Sequence, residues 1–182
     1  MTRIQPLQPT QADEKTQEML DGVQRGLGMV PNMFKTLAHS SAALSGYLNF
    51  NQALGGALTP ALREQIALTV AGNNGCDYCA SAHTLLGSHA GIADAELTAN
   101  LAGQSHDERT QAALSFARAI VQHQGRVADE EIDQVRAAGF ADSEIVEIVS
   151  VVALNVFTNY FNLVAGTEID FPVVETAPAT AS

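Results

Sequence analysis

Residues 63–84, REQIALTVAGNNGCDYCASAHT, decide how this chain is read. They hold both of its cysteines, Cys76 and Cys79, with His83 four residues after Cys79 and Glu64 twelve before Cys76. Thr59-Pro60 just upstream is a helix start: threonine caps free backbone N–H groups, and proline at the first helical position gives up no hydrogen bond. The spacing predicts one helix over about 60–72, closed by GNNG, and a second from Cys76 or Asp77 to Gly91. So short a connection favours an antiparallel helical hairpin. Glu64 lies nine residues before Asn73 and His83 nine after Asn74. At about 1.5 Å of rise per residue, both stand roughly 13 Å from the turn and can face each other. Cys79 and His83, at i and i+4, share a helix face. Cys76 sits one turn earlier, near the helix N-terminus.

Working outward, the chain reads as helix after helix between Gly, Pro and Asn breaks. Thr10 with Asp13 has the form of an N-terminal capping pair, after which Met19, Leu20, Val23 and Leu27 recur at helical spacing up to Gly26 and Gly28. After VPN at 30–32, residues 33–54 form a mainly apolar helical stretch with a bend expected at Ser40-Ser41 and a stop at Gly55-Gly56. Asp94 opens a short helix over about 94–102. Ser105 with Glu108 has a capping-box pattern ahead of an apolar stripe ending at Gly125, and Asp129 starts a short helix closed by Gly139. The last segment, EIVEIVSVVALNVFTNYFNLVAG, is rich in β-branched residues. Its length, the acids at its start and Gly166 at its end indicate a buried helix instead of a strand. The expected fold class is all-α. The expected organisation is a single domain over 1–182, with 1–30 as a helical arm and 167–182 as an extended, then disordered, tail.

Composition narrows the partners. The chain has 182 residues, 46% hydrophobic and only 16% charged, a surface sparse enough in charge to suggest that other subunits cover part of it. Twenty acidic against nine basic residues give a net charge of −11, which repels phosphate backbones, so no nucleic-acid partner is expected. The N-terminus lacks an apolar signal core and no run is read as a membrane span, so a soluble cytoplasmic protein is expected. In a reducing cytosol a CxxC pair is catalytic or metal-binding more often than a structural staple.

The chemistry of the quoted stretch has three readings. A helix N-terminus and a nearby imidazole both lower a thiol pKa, and a carboxylate that holds the imidazole fixes its tautomer. Glu64, in an otherwise apolar run, is costly to bury without a partner such as His83, although Arg63 or another subunit could serve instead. The result would be a redox-active dithiol with its own proton relay. Zinc is the second reading, with Cys76, Cys79 and His83 as three ligands and a fourth from a distant histidine such as His39 or His123. Two ordinary buried thiols are the third. A redox-active dithiol can also serve a non-catalytic redox-sensing oligomer in place of an enzyme.

The pattern of Glu64, eleven residues, CDYC, three residues and His83 resembles the core of the AhpD-like alkylhydroperoxidases of the carboxymuconolactone decarboxylase superfamily. The resemblance is strongest over residues 45–90. With PNMFKTL early and NVFTNYFNLVAGTEIDFP late, the whole chain is similar to the peroxidase-related subgroup. The resemblance implies an all-helical fold assembled as a homo-oligomer, a trimer or hexamer. It implies a thiol peroxidase that uses no cofactor and no metal. Cys79 would attack a hydroperoxide, with His83 and Glu64 relaying its proton. Cys76 would then resolve the sulfenic acid to a disulfide, which an unknown dithiol reductant would reduce. The decarboxylase branch lacks the dithiol, which favours redox chemistry here. The best-known members carry a histidine immediately before the second cysteine, where this chain has Tyr78.

Elsewhere, Asn155, Asn159 and Asn162 fall on one face of the last helix and are expected at a subunit interface. Tyr160 and Phe161 are read as packing residues. Met29, Met33 and Phe34 are read as a hydrophobic anchor for the arm, and His39, His89, His106 and His123 as surface or interface residues. GNNG follows a helix and lacks the Lys-Ser/Thr of a nucleotide loop.

Overall fold

The computed structural model describes residues 1–54, 56 and 58–176, and these are helical with irregular connections and no strand. A 3-10 turn, Pro9–Gln11, precedes α1 (Glu14–Leu27), α2 (Asn32–Leu37), α3 (Ser41–Ala53), α4 (Pro60–Asn74) and α5 (Asp77–His89). Then come α6 (Asp94–Leu101), α7 (Glu108–Gln122), α8 (Asp129–Ala137) and α9 (Asp142–Ala165).

The decisive hairpin forms as its sequence dictates. Thr59 Oγ1 accepts from Leu62 N at 3.2 Å, and Pro60 occupies the first turn. The helix ends at Gly75, whose φ of 67° lies in the left-handed region that glycine enters without strain. Two residues later α5 begins. α4 is the central element, packed on α5, α6, α7 and α9, and from Gln65 to Ala71 every side chain is buried. A helix buried all round loses the amphipathic stripe of a surface helix. Gly72 lets α4 and α6 approach: a Cβ there would collide with the backbone carbonyl of Leu101.

Two apolar clusters result. One joins α4, α7, α8 and α9 through residues such as Ile66, Val70, Leu114 and Ile148. The other joins α1, α2, α3 and α5 around Leu20, Phe34, Leu37 and Leu44, and it contains both cysteines.

Several expectations need correction. The stretch 33–54 is two helices, because Ser40 is extended (φ −129°) and its Oγ caps Ala43 N; Gly55, its expected stop, lies outside the described residues. Asp13 caps α1, in place of Thr10, and Asp107 caps α7, in place of Ser105: each carboxylate accepts the backbone N–H three residues on. Gly26 stays within α1, and Gly28 caps it. The last helix, α9, has 24 residues and is long and apolar enough to cross a membrane, contrary to the sequence reading. Half of its most apolar window is buried within this chain, against α4 and α7. The tail is ordered up to Thr176 and straps across α5, as described next; 177–182 lie outside the described residues.

Candidate functional site

The hairpin brings Glu64 and His83 together. His83 Nδ1 donates to Glu64 Oε2 at 2.7 Å, with both side chains about one-fifth exposed. This bond leaves Nε2 as the second proton site of the ring. Arg63, the alternative partner for Glu64, bonds Asn51 instead: Nη2 donates to its Oδ1 at 3.2 Å and to its carbonyl at 3.4 Å.

Cys76 and Cys79 are free thiols with sulfurs 2.9 Å apart, only 1% and 2% exposed. Cys76 is the residue before α5. Its pKa is lowered, first by the hydrogen bond from Cys79 and then, against burial, by the backbone N–H groups of Cys79 and Tyr78 at the open helix end. The Cys79 thiol is raised well above the ordinary range, first by that same bond and then by burial and the charge on Cys76. The pair therefore titrates as a unit, with the first negative charge on Cys76 and the shared proton on Cys79.

Access runs the other way. A cavity of about 450 Å³ is lined by Cys79, His83 and Glu64 but not by Cys76. His83 shares this cavity with Cys79, yet among the described residues no hydrogen bond joins them. The third polar element behind the dithiol is on α9. Asn162 Nδ2 donates to Cys79 Sγ at 3.3 Å, and Asn159 Oδ1 accepts from Asn74 Nδ2 at 3.0 Å. Both amides counter the rise in the Cys79 pKa. Asn155, Asn159 and Asn162 are all buried within this chain, and Asn155 bonds the Val151 carbonyl one turn back. The expected subunit-interface role is therefore corrected: the stripe faces α4 and α5, and two of its three amides serve the dithiol end of the hairpin.

Tyr78, the departure from the motif, has its own role. Its hydroxyl donates to Asp170 Oδ1 at 2.9 Å and accepts from Met33 N at 3.1 Å, while Asp170 Oδ2 accepts from Asn32 N at 2.7 Å. Further along, Val174 N donates to Ser81 Oγ at 2.9 Å and Thr176 N to Asp77 Oδ1 at 2.8 Å. Residues 167–176 are thus a strap laid over the helix that carries the dithiol. Phe171 packs edge-on against Tyr78 and lines the cavity.

The cavity also draws in residues that were read otherwise. Met29, Met33 and Phe34 line it as well as anchoring the arm, and His89 is exposed at its edge. Tyr47 and Arg63, absent from the sequence reading as site residues, line it too. His39 Nε2 pairs with the Gln5 carbonyl, and His106 and His123 line a separate, polar cavity. Tyr160 is 55% exposed while Phe161 packs in the second cluster. Among the described residues no three His, Cys, Asp or Glu side chains converge as a metal-binding group, so Cys76, Cys79 and His83 are not arranged as a zinc site.

Residues 41–123, which contain the Glu64–His83 pattern, match the carboxymuconolactone decarboxylase family. The chain's fold is also that of solved structures. One is a peroxidase-related protein from Ralstonia eutropha JMP134, described as an alkylhydroperoxidase AhpD core: 23% identity, TM-score 0.85, 93% of this chain and 92% of that one covered. A peroxidase-related protein from Silicibacter sp. TM1040 is 24% identical, with TM-score 0.80 and 91% of each chain covered. The debrominase Bmp8, in complex with 2,3,4-tribromopyrrole, is 20% identical, with TM-score 0.80, 93% of this chain and 92% of that one covered. No curated protein matches the chain.

Proposed function

We infer that the protein is a thiol-dependent peroxidase acting through a Cys76–Cys79 dithiol/disulfide cycle. The observation that carries this reading is the placement of Cys79, in contact with Cys76 behind it and in one cavity with the His83–Glu64 pair in front. The family match over residues 41–123 and the peroxidase-related structural neighbours support it.

Cys79 gives its proton to Cys76, when that sulfur is ionised, across the 2.9 Å contact, or to His83 through the cavity, and attacks the distal oxygen of ROOH. The O–O bond breaks, His83 or the cavity's water protonates the leaving alkoxide, and Cys79 is left as sulfenic acid with ROH released. Cys76 sulfur then attacks Cys79 sulfur, expelling water and forming the disulfide. Two electrons from an external dithiol donor restore the thiols. Glu64 is a positioning residue: its carboxylate fixes the His83 tautomer and stabilises the imidazolium.

The same reading takes the protein to be a cytoplasmic homo-oligomer. The outer row of α9, with Val146, Phe157, Tyr160 and Val164 exposed, supports a covered apolar face. Light scattering on the reduced protein checks this: a monomer at micromolar concentration contradicts it.

A second reading is favoured by the aromatic frame of the cavity, where Phe34, Tyr47, Tyr78 and Phe171 stand beside Cys79. It is reductive dehalogenation of an aromatic ring, as the debrominase neighbour suggests. Cys79 thiolate would take the halogen as Cys79–S–X while the ring carbon takes a proton, and Cys76 would then expel halide. Both readings end in the same disulfide. Product analysis separates them: one alcohol per disulfide from a hydroperoxide supports the first, and halide release from a halopyrrole with no reaction toward hydroperoxides overturns it.

A further inference from the structure

The cavity beside Cys79 has an apolar wall of Leu27, Met29, Met33, Phe34, Leu86 and Phe171, and its volume of about 450 Å³ suits an organic molecule. Its ionic groups near the dithiol are few. Glu64 and His83 satisfy each other. Arg63, one residue before Glu64 on α4, is different. Its Nη2 bonds Asn51, its Nε–H is buried with no hydrogen-bond partner, and its Nη1 makes no hydrogen bond among the described residues. No carboxylate among the described residues lies within ion-pair distance of it, although the chain carries twenty acids against nine bases.

Arg109 and Arg136 show the contrast: on the outer surface, each meets a carboxylate. A half-buried guanidinium with no ion-pair partner and a buried, unsatisfied Nε–H carries a cost that a bound anion would relieve. Its planar fork matches the two oxygens of a carboxylate, as it does those of a phosphate, and the apolar wall beside it suits the chain of an organic acid. Arg63 and Asn51 also line a void of about 30 Å³ beside the main cavity, enough for a water or a carboxylate oxygen. The net charge of −11 repels anions at long range, so recognition of one rests on this local contact.

We propose that Arg63 anchors the carboxylate of an amphipathic substrate, a fatty-acid-like hydroperoxide whose apolar chain lies along the Met33–Phe34–Phe171 wall and whose O–O bond reaches Cys79. This rests on the peroxidase reading and names its substrate class. The redox step is the one balanced above, with R bearing the carboxylate: the acid hydroperoxide becomes the hydroxy acid and the dithiol becomes the disulfide.

Two measurements test it. Calorimetric titration of the reduced protein compares decanoate with decanol, which need no chemistry at the thiols. Decanoate is expected to bind at least about tenfold more tightly, and Arg63→Gln to bring that ratio near one, with Arg63→Lys between. Equal affinity for the two in wild type overturns the proposal, whether or not the variants fold. Stopped-flow oxidation then compares linoleic acid hydroperoxide with its methyl ester. An acid-to-ester rate ratio above about ten, falling toward one in Arg63→Gln, supports it. Oxidation by both at equal rates overturns the substrate class and leaves the peroxidase reading standing. Decanoate binding through Arg63 without oxidation by any hydroperoxide keeps the carboxylate site and overturns the peroxidase reading.

Discussion

The two walls of the cavity are built by different means. One consists of α4, α5 and α9, regular helices whose buried faces interlock; helical spacing about the hairpin sets Glu64 against His83 and Cys76 against Cys79, and the packing of α9 brings Asn162 to Cys79. The other consists of α2, the end of α1 and the strap 167–176. It is held by polar contacts between segments far apart in sequence, above all the Tyr78–Asp170 bond, which spans 92 residues. In the proposed cycle the first wall carries the chemistry and the second shapes what reaches it. Reaction rates should therefore respond to the first wall for every hydroperoxide, whereas selectivity among them should respond to the second.

The largest effect should come from the dithiol itself. Cys79→Ser is expected to abolish fast oxidation by any hydroperoxide, and stopped-flow thiol loss would show it. Next in size is the relay. His83→Ala should slow Cys79 oxidation by about 10²–10³-fold, within the range of general acid–base catalysis. Glu64→Gln should cost less because the imidazole stays in place, and its pH–rate profile should shift, which a purely structural role would not produce. A loss in Glu64→Gln as large as in His83→Ala would contradict the division between catalytic and positioning roles.

Smaller effects sharpen the contrast between the walls. Asp170→Ala leaves Tyr78 Oη and Asn32 N without their shared acceptor, a loss of about 1–3 kcal/mol. Thermal unfolding should fall by several degrees, since 1 kcal/mol is worth roughly 2–4 °C in a chain of this size. The rate ratio between a bulky hydroperoxide and hydrogen peroxide should change more than the hydrogen peroxide rate. If both rates fall together, the strap belongs to the chemical wall as well. The smallest effect is one of titration. The ultraviolet thiolate signal should rise with pH through a midpoint below the ordinary thiol range, because the Cys79 hydrogen bond and the helix-end N–H groups favour the Cys76 anion. Cys76→Ser should remove that step and bring Cys79 down from its raised position, since the bond and the charge that hold it up are gone. A first midpoint unchanged in Cys76→Ser would place the resting charge elsewhere.

The chemical wall was legible in the sequence because regular helices turn spacing into position. Nine residues on either side of a tight turn put Glu64 and His83 at one height, and the i, i+4 relation put Cys79 beneath His83. Helical spacing could also gather Asn155, Asn159 and Asn162 on one face, but it says nothing about which neighbour that face meets, hence the error over the interface. The strap gave no periodic signal, so Asp170 and its hold on Tyr78 were out of reach; so was the meaning of Tyr78 as the anchor of that hold. The caps Asp13 and Asp107 were missed for a subtler reason. Each lies within three residues of another capping-competent residue, Thr10 or Ser105, so composition alone did not single out the cap.

The central claim is that Cys79 attacks and Cys76 resolves, although Cys76 is the thiol whose pKa is lowered. The most direct test is to react fully reduced Cys76→Ser and Cys79→Ser with one equivalent of cumene hydroperoxide and trap sulfenic acid with dimedone. A dimedone adduct at Cys79 in Cys76→Ser, with Cys79→Ser unreacted on the same timescale, is the expected result. A rapid adduct at Cys76 in Cys79→Ser, with Cys76→Ser inert, would contradict it and reverse the roles of the two thiols.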